Sequence, residues 1–248
     1  MAFGIRAVNF KLVPCLLALC LAMAPSAGLA KPVEGQVFPA EQRVTYVDPA
    51  GKSRIYLVQE SEKRLISPTI LVYMHGSAGG EEQGMDPRWA NGAFSRLRQL
   101  MNRWGWVYVC PRDGEFEGLL RHLGEKYKSR RVFLCGASYG GTLVLREAAK
   151  NPDRYAGLLL LGPAVGNGSQ SDPSRLSMPT WILSGERDYE VSRQARILAG
   201  HLKELKRSCF YREIAGGRHS SPVEKVDWLE ALGYLQFPRV REGRLTCL

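Results

Sequence analysis

Val132-Phe133-Leu134-Cys135-Gly136-Ala137-Ser138-Tyr139-Gly140-Gly141 is the stretch from which the rest of this chain is read. Arg131 to Cys135 is an apolar run of the kind that fills a strand buried on both faces of a sheet. Gly140 to Lys150 reads as a helix, and Asn151-Pro152 ends it. Between them stands G-x-S-x-G, a serine on a sharp strand-to-helix turn. The spacing has a steric reason. Side chains two residues either side of Ser138 would collide with the neighbouring strand and helix, so glycine fits there. The amide of Tyr139 falls at the helix start, where N–H groups lack intrahelical acceptors, so it is free to donate to a developing oxyanion.

Working outward, buried strands alternate with helices. Arg43 to Val47 and Ile55 to Gln59 alternate apolar and polar residues, as an edge hairpin does. Thr69 to Met74 is a second continuous apolar run. A glycine-rich loop follows from Gly76 to Gly84, then a helix from Pro87 to Trp104. Its residues Phe94, Leu97, Leu100, Met101 and Trp104 share one face. Trp106 to Cys110, Ala156 to Leu161, Thr180 to Leu183 and Cys209 to Ile214 read as strands. Glu115 to Tyr127, Val191 to Leu205 and Val223 to Leu235 read as helices. Such alternation implies α/β architecture: one mostly parallel sheet with helices on both faces. Pro163 to Met178 is irregular and leaves room for a short loop and one helix, not for a large lid.

A serine hydroxyl needs a base before it attacks. The chain has four histidines. His201 and His122 read as helix-surface residues, and His75 as a structural residue closing a strand. His219 lies in Ala215-Gly216-Gly217-Arg218-His219-Ser220-Ser221-Pro222, a glycine-rich loop after the last strand. Strand C-terminal ends are where such sheets place their sites, so His219 is the expected base. The base needs a carboxylate to fix its tautomer. Asp188, at the end of Ser184-Gly185-Glu186-Arg187-Asp188, is the first candidate; Asp172, Glu186 and Glu190 are the alternatives. Glu186 and Arg187 read as a solvated pair. The second oxyanion donor is expected in His75-Gly76-Ser77-Ala78-Gly79-Gly80, at Ser77 N–H with Ala78 N–H as the alternative. Met85 to Trp89 and Asp113 to Phe116 flank the expected cleft, and both read equally as capped helix starts.

With these motifs in hand, the chain resembles the α/β-hydrolases. The HGSAGG loop, the GASYGG elbow, the GERD turn and the GGRH loop stand in that family's order. Asn151-Pro152-Asp153-Arg154-Tyr155-Ala156-Gly157 is also similar to its sequences. The resemblance runs from about Val44 to Leu235, and is strongest to the dienelactone-hydrolase-like and prolyl-oligopeptidase-like branches. Ser138 stands where dienelactone hydrolases place a cysteine, and no propeller domain accompanies it. The resemblance implies an α/β-hydrolase fold without a large lid and a Ser138–Asp188–His219 triad. It implies oxyanion donors at Ser77 and Tyr139, and no metal or organic cofactor.

The first thirty residues read as an address. Arg6 and Lys11 precede an apolar run from Leu12 to Ala24, and small residues follow from Ser26 to Ala30. This is the layout of a secretory signal peptide, with cleavage after Ala30 or Ala27. Leu19 before Cys20 argues against a lipoprotein signal, since that position wants a smaller residue. The remainder, residues 31–248, is expected to be a single domain, periplasmic or secreted. Loss of the leader would lower the formal charge from +10 to +8. No basic run alternates with aromatics as in a single-strand nucleic-acid groove. The charge therefore suggests solubility and weak association with an anionic envelope rather than nucleic-acid binding. Cys15 and Cys20 leave with the leader. Cys110 and Cys135 read as buried small hydrophobes, and a Cys209–Cys247 bridge would pin the tail in an oxidising compartment. The expected activity is hydrolysis of a small carboxylic ester. The same machinery would serve a small peptidase or amidase, and a catalytically silent binding protein is the third option.

Overall fold

The computed structural model describes residues 39–63, 65–165 and 172–238. The expected leader and both of its cleavage positions lie outside these residues, as does Cys247. Along the chain run β1 (Gln42–Val47), β2 (Ser53–Gln59), β3 (Ile70–Met74), α1 (Glu81–Met85), α2 (Trp89–Trp104) and β4 (Val107–Pro111). α3 (Phe116–Tyr127), β5 (Val132–Ala137), α4 (Tyr139–Lys150) and β6 (Gly157–Leu161) follow. The described chain then continues through β7 (Thr180–Gly185), α5 (Tyr189–Glu204), β8 (Cys209–Ile214), α6 (Ser221–Lys225) and α7 (Trp228–Gln236).

The eight strands form one sheet in the order β1-β2-β4-β3-β5-β6-β7-β8. β2 is antiparallel to both β1 and β4, and every pairing from β4 to β8 is parallel. The continuous apolar runs follow from burial on two faces. Ile70, Val72 and Met74 join Leu119 of α3, Val144 of α4 and Leu198 of α5. Leu71 and Tyr73 join Met85 of α1, Phe94 of α2 and Ala231 of α7. Successive strand residues point to opposite faces, so one unbroken apolar strand feeds two cores.

The β1–β2 hairpin forms one edge of the sheet, as expected, and β4 takes the second side of β2. The polar Gln59 of β2 is buried and tied to Arg98, its Oε1 accepting from Nε at 2.6 Å and its amide donating to the Arg98 carbonyl at 2.9 Å. Three local expectations change. The glycine loop gives way to α1 from Glu81. The helix expected from Pro87 begins at Trp89 and contains three consecutive left-handed residues, Ala90, Asn91 and Gly92. The final helix is two, broken at Val226-Asp227, where Asp227 accepts the Glu230 N–H at 3.0 Å and starts α7.

Candidate active site

Ser138 joins β5 to α4 with φ +52° and ψ −121°, a backbone conformation that L-residues seldom adopt. Packing holds it there. A Cβ on Gly136 would lie 2.4 Å from the Gly140 carbonyl oxygen. A Cβ on Gly140 would lie 2.3 Å from the carbonyl oxygens of Met74 and His75. The elbow is therefore pressed against itself and against the end of β3. The Ser138 N–H donates to the Leu161 carbonyl at 3.0 Å, and the Ser138 carbonyl accepts from Gly141 at 2.9 Å. A conformation costing about 1–3 kcal/mol persists only where its surroundings over-determine it, as they do here.

Ser138 Oγ lies 2.8 Å from His219 Nε2, and His219 Nδ1 is hydrogen-bonded to Asp188 Oδ2. The elements that carry these groups are β5, β7 and β8, all parallel, so the three residues leave the same end of the sheet. The loops bearing Asp188 and His219 are clamped together. The Arg187 N–H donates to the Gly217 carbonyl at 2.8 Å, and the Gly216 N–H to Glu186 Oε2 at 2.6 Å. A Cβ on Gly185 would meet the Arg218 carbonyl oxygen at 2.3 Å, so only glycine permits this approach. The far side of the histidine loop is tied by the Arg218 N–H to Ser221 Oγ at 2.9 Å.

The other acidic candidates are engaged elsewhere. Asp172 caps a 3₁₀ turn by accepting the Ser174 N–H. Glu190 accepts from Arg193 and Gln194. Glu186 braces Gly216 rather than pairing with Arg187.

Gly76 opens the loop after β3. A Cβ there would lie 3.4 Å from Ser138 Cβ, so the loop passes directly beside the serine. The Gly79 N–H donates back to the Gly76 carbonyl at 3.0 Å, which closes a tight turn around Ser77 and Ala78. Among the described residues neither Ser77 N–H nor Tyr139 N–H donates to a protein acceptor. His75 is buried, as its structural reading expects; its Nε2 meets the Arg112 carbonyl at 2.9 Å and its Nδ1 the Gly76 carbonyl at 2.7 Å. His201 is exposed on α5. His122 departs from expectation: it stacks on Tyr46 at 5.3 Å and meets the Tyr56 hydroxyl at 3.1 Å.

The site is open. The His219 side chain is 52% exposed and Asp188 20%, and Tyr139 and Tyr189 stand exposed directly after Ser138 and Asp188. Among the described residues no group of three or more His, Cys, Asp or Glu is placed to hold a metal, and no helix is long and apolar enough to cross a membrane. Chemically the arrangement can take a proton from Ser138, hold the resulting imidazolium against a carboxylate and present backbone N–H groups to an oxyanion.

Residues 114–174 match the family model described as serine aminopeptidase, S33. That span holds the elbow but neither Asp188 nor His219. No curated protein sequence matches the chain. Among solved structures, a ferulic acid esterase from Anaeromyces mucronatus, in complex with ferulic acid, is 14% identical with a TM-score of 0.66, covering 77% of this chain and 90% of that one. A thermostable esterase is 20% identical with a TM-score of 0.63, covering 79% of this chain and 62% of that one. The S-formylglutathione hydrolase of Staphylococcus aureus is 14% identical with a TM-score of 0.59, covering 79% of this chain and 96% of that one. The chain has the α/β-hydrolase fold.

Proposed function

We propose that this protein is an exported serine hydrolase that cleaves small carboxylic esters through an acyl-enzyme. Ser138 Oγ attacks the acyl carbon while His219 Nε2 accepts its proton. Asp188 holds the Nδ1–H and stabilises the imidazolium. The N–H groups of Ser77 and Tyr139 receive the oxyanion. His219 then returns its proton to the departing alcohol, and a water activated by the same base releases the acid. The observation that carries this reading is the continuous contact from Ser138 Oγ through both ring nitrogens of His219 to Asp188. The esterases of the same fold support an ester over an amide, and the open site suits a substrate that needs no lid. The thirty-residue address supports a periplasmic or secreted location, with residues 31–248 as the single hydrolase domain.

The match to a serine aminopeptidase model favours a second reading, a small peptidase. A fluorophosphonate probe together with p-nitrophenyl esters of rising chain length and aminoacyl amides tests both. Labelling of the wild type that disappears in Ser138→Ala, with ester turnover exceeding amide turnover, is the expected result. Labelling that persists in Ser138→Ala overturns the assignment of the nucleophile. Amide turnover exceeding ester turnover selects the peptidase.

A further inference from the structure

One buried acid takes no part in the chemistry just described. The Glu81 side chain is only 2% exposed. Removing a carboxylate from water costs several kcal/mol unless partners replace the solvent. Two guanidinium groups do so. Arg112 Nε donates to both Glu81 oxygens at 3.0 and 3.1 Å, and Arg43 Nη1 donates to Oε1 at 2.8 Å. Burial by itself would raise the Glu81 carboxyl. The bonds from Arg112, from its own backbone N–H and from Arg43 outweigh it and bring it down to about 2, so it is ionised at neutral pH.

What Glu81 holds is the loop beside the nucleophile. Its partner Arg112 presents its backbone carbonyl to His75 Nε2, and His75 faces the Gly76 carbonyl through Nδ1. That carbonyl also takes the Gly79 N–H. The contacts form a closed ring: His75, the turn from Gly76 to Gly80, Glu81, Arg112, and His75 again. Ser77 and Ala78 sit inside it. Resting on the reading of this loop as an oxyanion donor, we propose that Glu81 is a positioning residue that fixes the Ser77 N–H through Arg112 and His75.

The test compares Glu81→Gln with wild type, and with Glu82→Gln, which removes the other contact from Arg43 of β1 to α1, as a control for the tie to β1. Removing one oxyanion donor outright lowers kcat by about 10²–10³-fold, and a loosened donor should lose less. Glu81→Gln is expected to lower kcat roughly 10- to 100-fold per fluorophosphonate-titrated site, with KM unchanged. A trifluoromethyl ketone, whose hemiketal mimics the tetrahedral intermediate, should weaken by the same factor, while an ether isostere of the ester binds as before. Amide hydrogen exchange should accelerate across residues 76–80 and stay constant across α4. Glu82→Gln should keep kcat within about twofold. The proposal is overturned by any of three results: Glu81→Gln with wild-type kcat, a loss that vanishes once active sites are titrated, or exchange that quickens through the whole sheet. If the wild type cleaves no ester, the ester reading fails by itself, and the exchange comparison still decides the positioning role.

Discussion

In the proposed mechanism Asp188 orients His219 only while it can accept the Nδ1–H. An amide in its place can donate instead and stabilise the wrong tautomer. Asp188→Asn is expected to lower kcat by about 10³–10⁴-fold at neutral pH with little change in KM, measured with a p-nitrophenyl ester beside a circular dichroism spectrum that reports folding. The groups that meet at Ser138 were legible because each lies in a short motif with its own steric logic: an elbow, a strand-end turn and a glycine-rich loop. Glu81 was not. Its partners stand 31 and 38 positions away, and nothing in Glu81-Glu82-Gln83 distinguishes a buried carboxylate from a solvated one. His122 was missed likewise, because the tyrosines that enclose it come from β1 and β2.

At the scale of elements, α2 carries stored strain. Ala90 and Asn91 have φ of +52° and +54°, followed by Gly92 at +77°. A left-handed conformation costs an L-residue roughly 1–2 kcal/mol, and glycine adopts it freely. Ala90→Gly is therefore expected to stabilise the fold by about 1 kcal/mol, or ~2–4 °C in the thermal midpoint. A midpoint that stays or falls in calorimetry would show that the Ala90 methyl contributes more in packing than its backbone costs. The segment explains an error of reading. Phe94, Leu97 and Met101 do share a buried face, but periodicity says nothing of how a helix is entered. The break in the last helix, in contrast, had a visible signal: Asp227 stands three residues before Glu230, the spacing of a capping box. The apolar run around it concealed that signal.

Across the whole molecule, acid should unfold the protein in two stages. His122 is depressed by its burial and by the Lys126 charge, against a smaller opposite effect of Glu125. The unfolded chain therefore takes up that proton first, near pH ~6.5. Its contribution to stability is present above that pH and is lost as the pH falls below it. Glu81 contributes above its ordinary value of 4.5, and that contribution is lost as the pH falls towards about 2. The Glu81 stage is on the order of 2 kcal/mol, reduced because Arg43 and Arg112 are about half exposed. Melting curves from pH 8 to pH 3 should show the upper stage disappear in His122→Asn and the lower stage shrink in Glu81→Gln, with the remainder carried by Asp48, Glu190 and Glu213, which are also held below their ordinary values. A wild-type midpoint constant over this range would contradict both assignments.

The alternation of strands and helices made the mostly parallel sheet legible. It could not show that β3 lies between β4 and β5, because strand order depends on crossovers between distant segments. Chain order carries one more consequence. Ser138 directly follows β5, near the middle of the sheet, but His219, its proposed base, follows β8, the last described strand, and is held by loops docked on one another. In the proposed mechanism a chain cut short before β8 would therefore carry the elbow sequence but no base, and Ser138 would gain its reactivity only once β8 and the loop after it have docked.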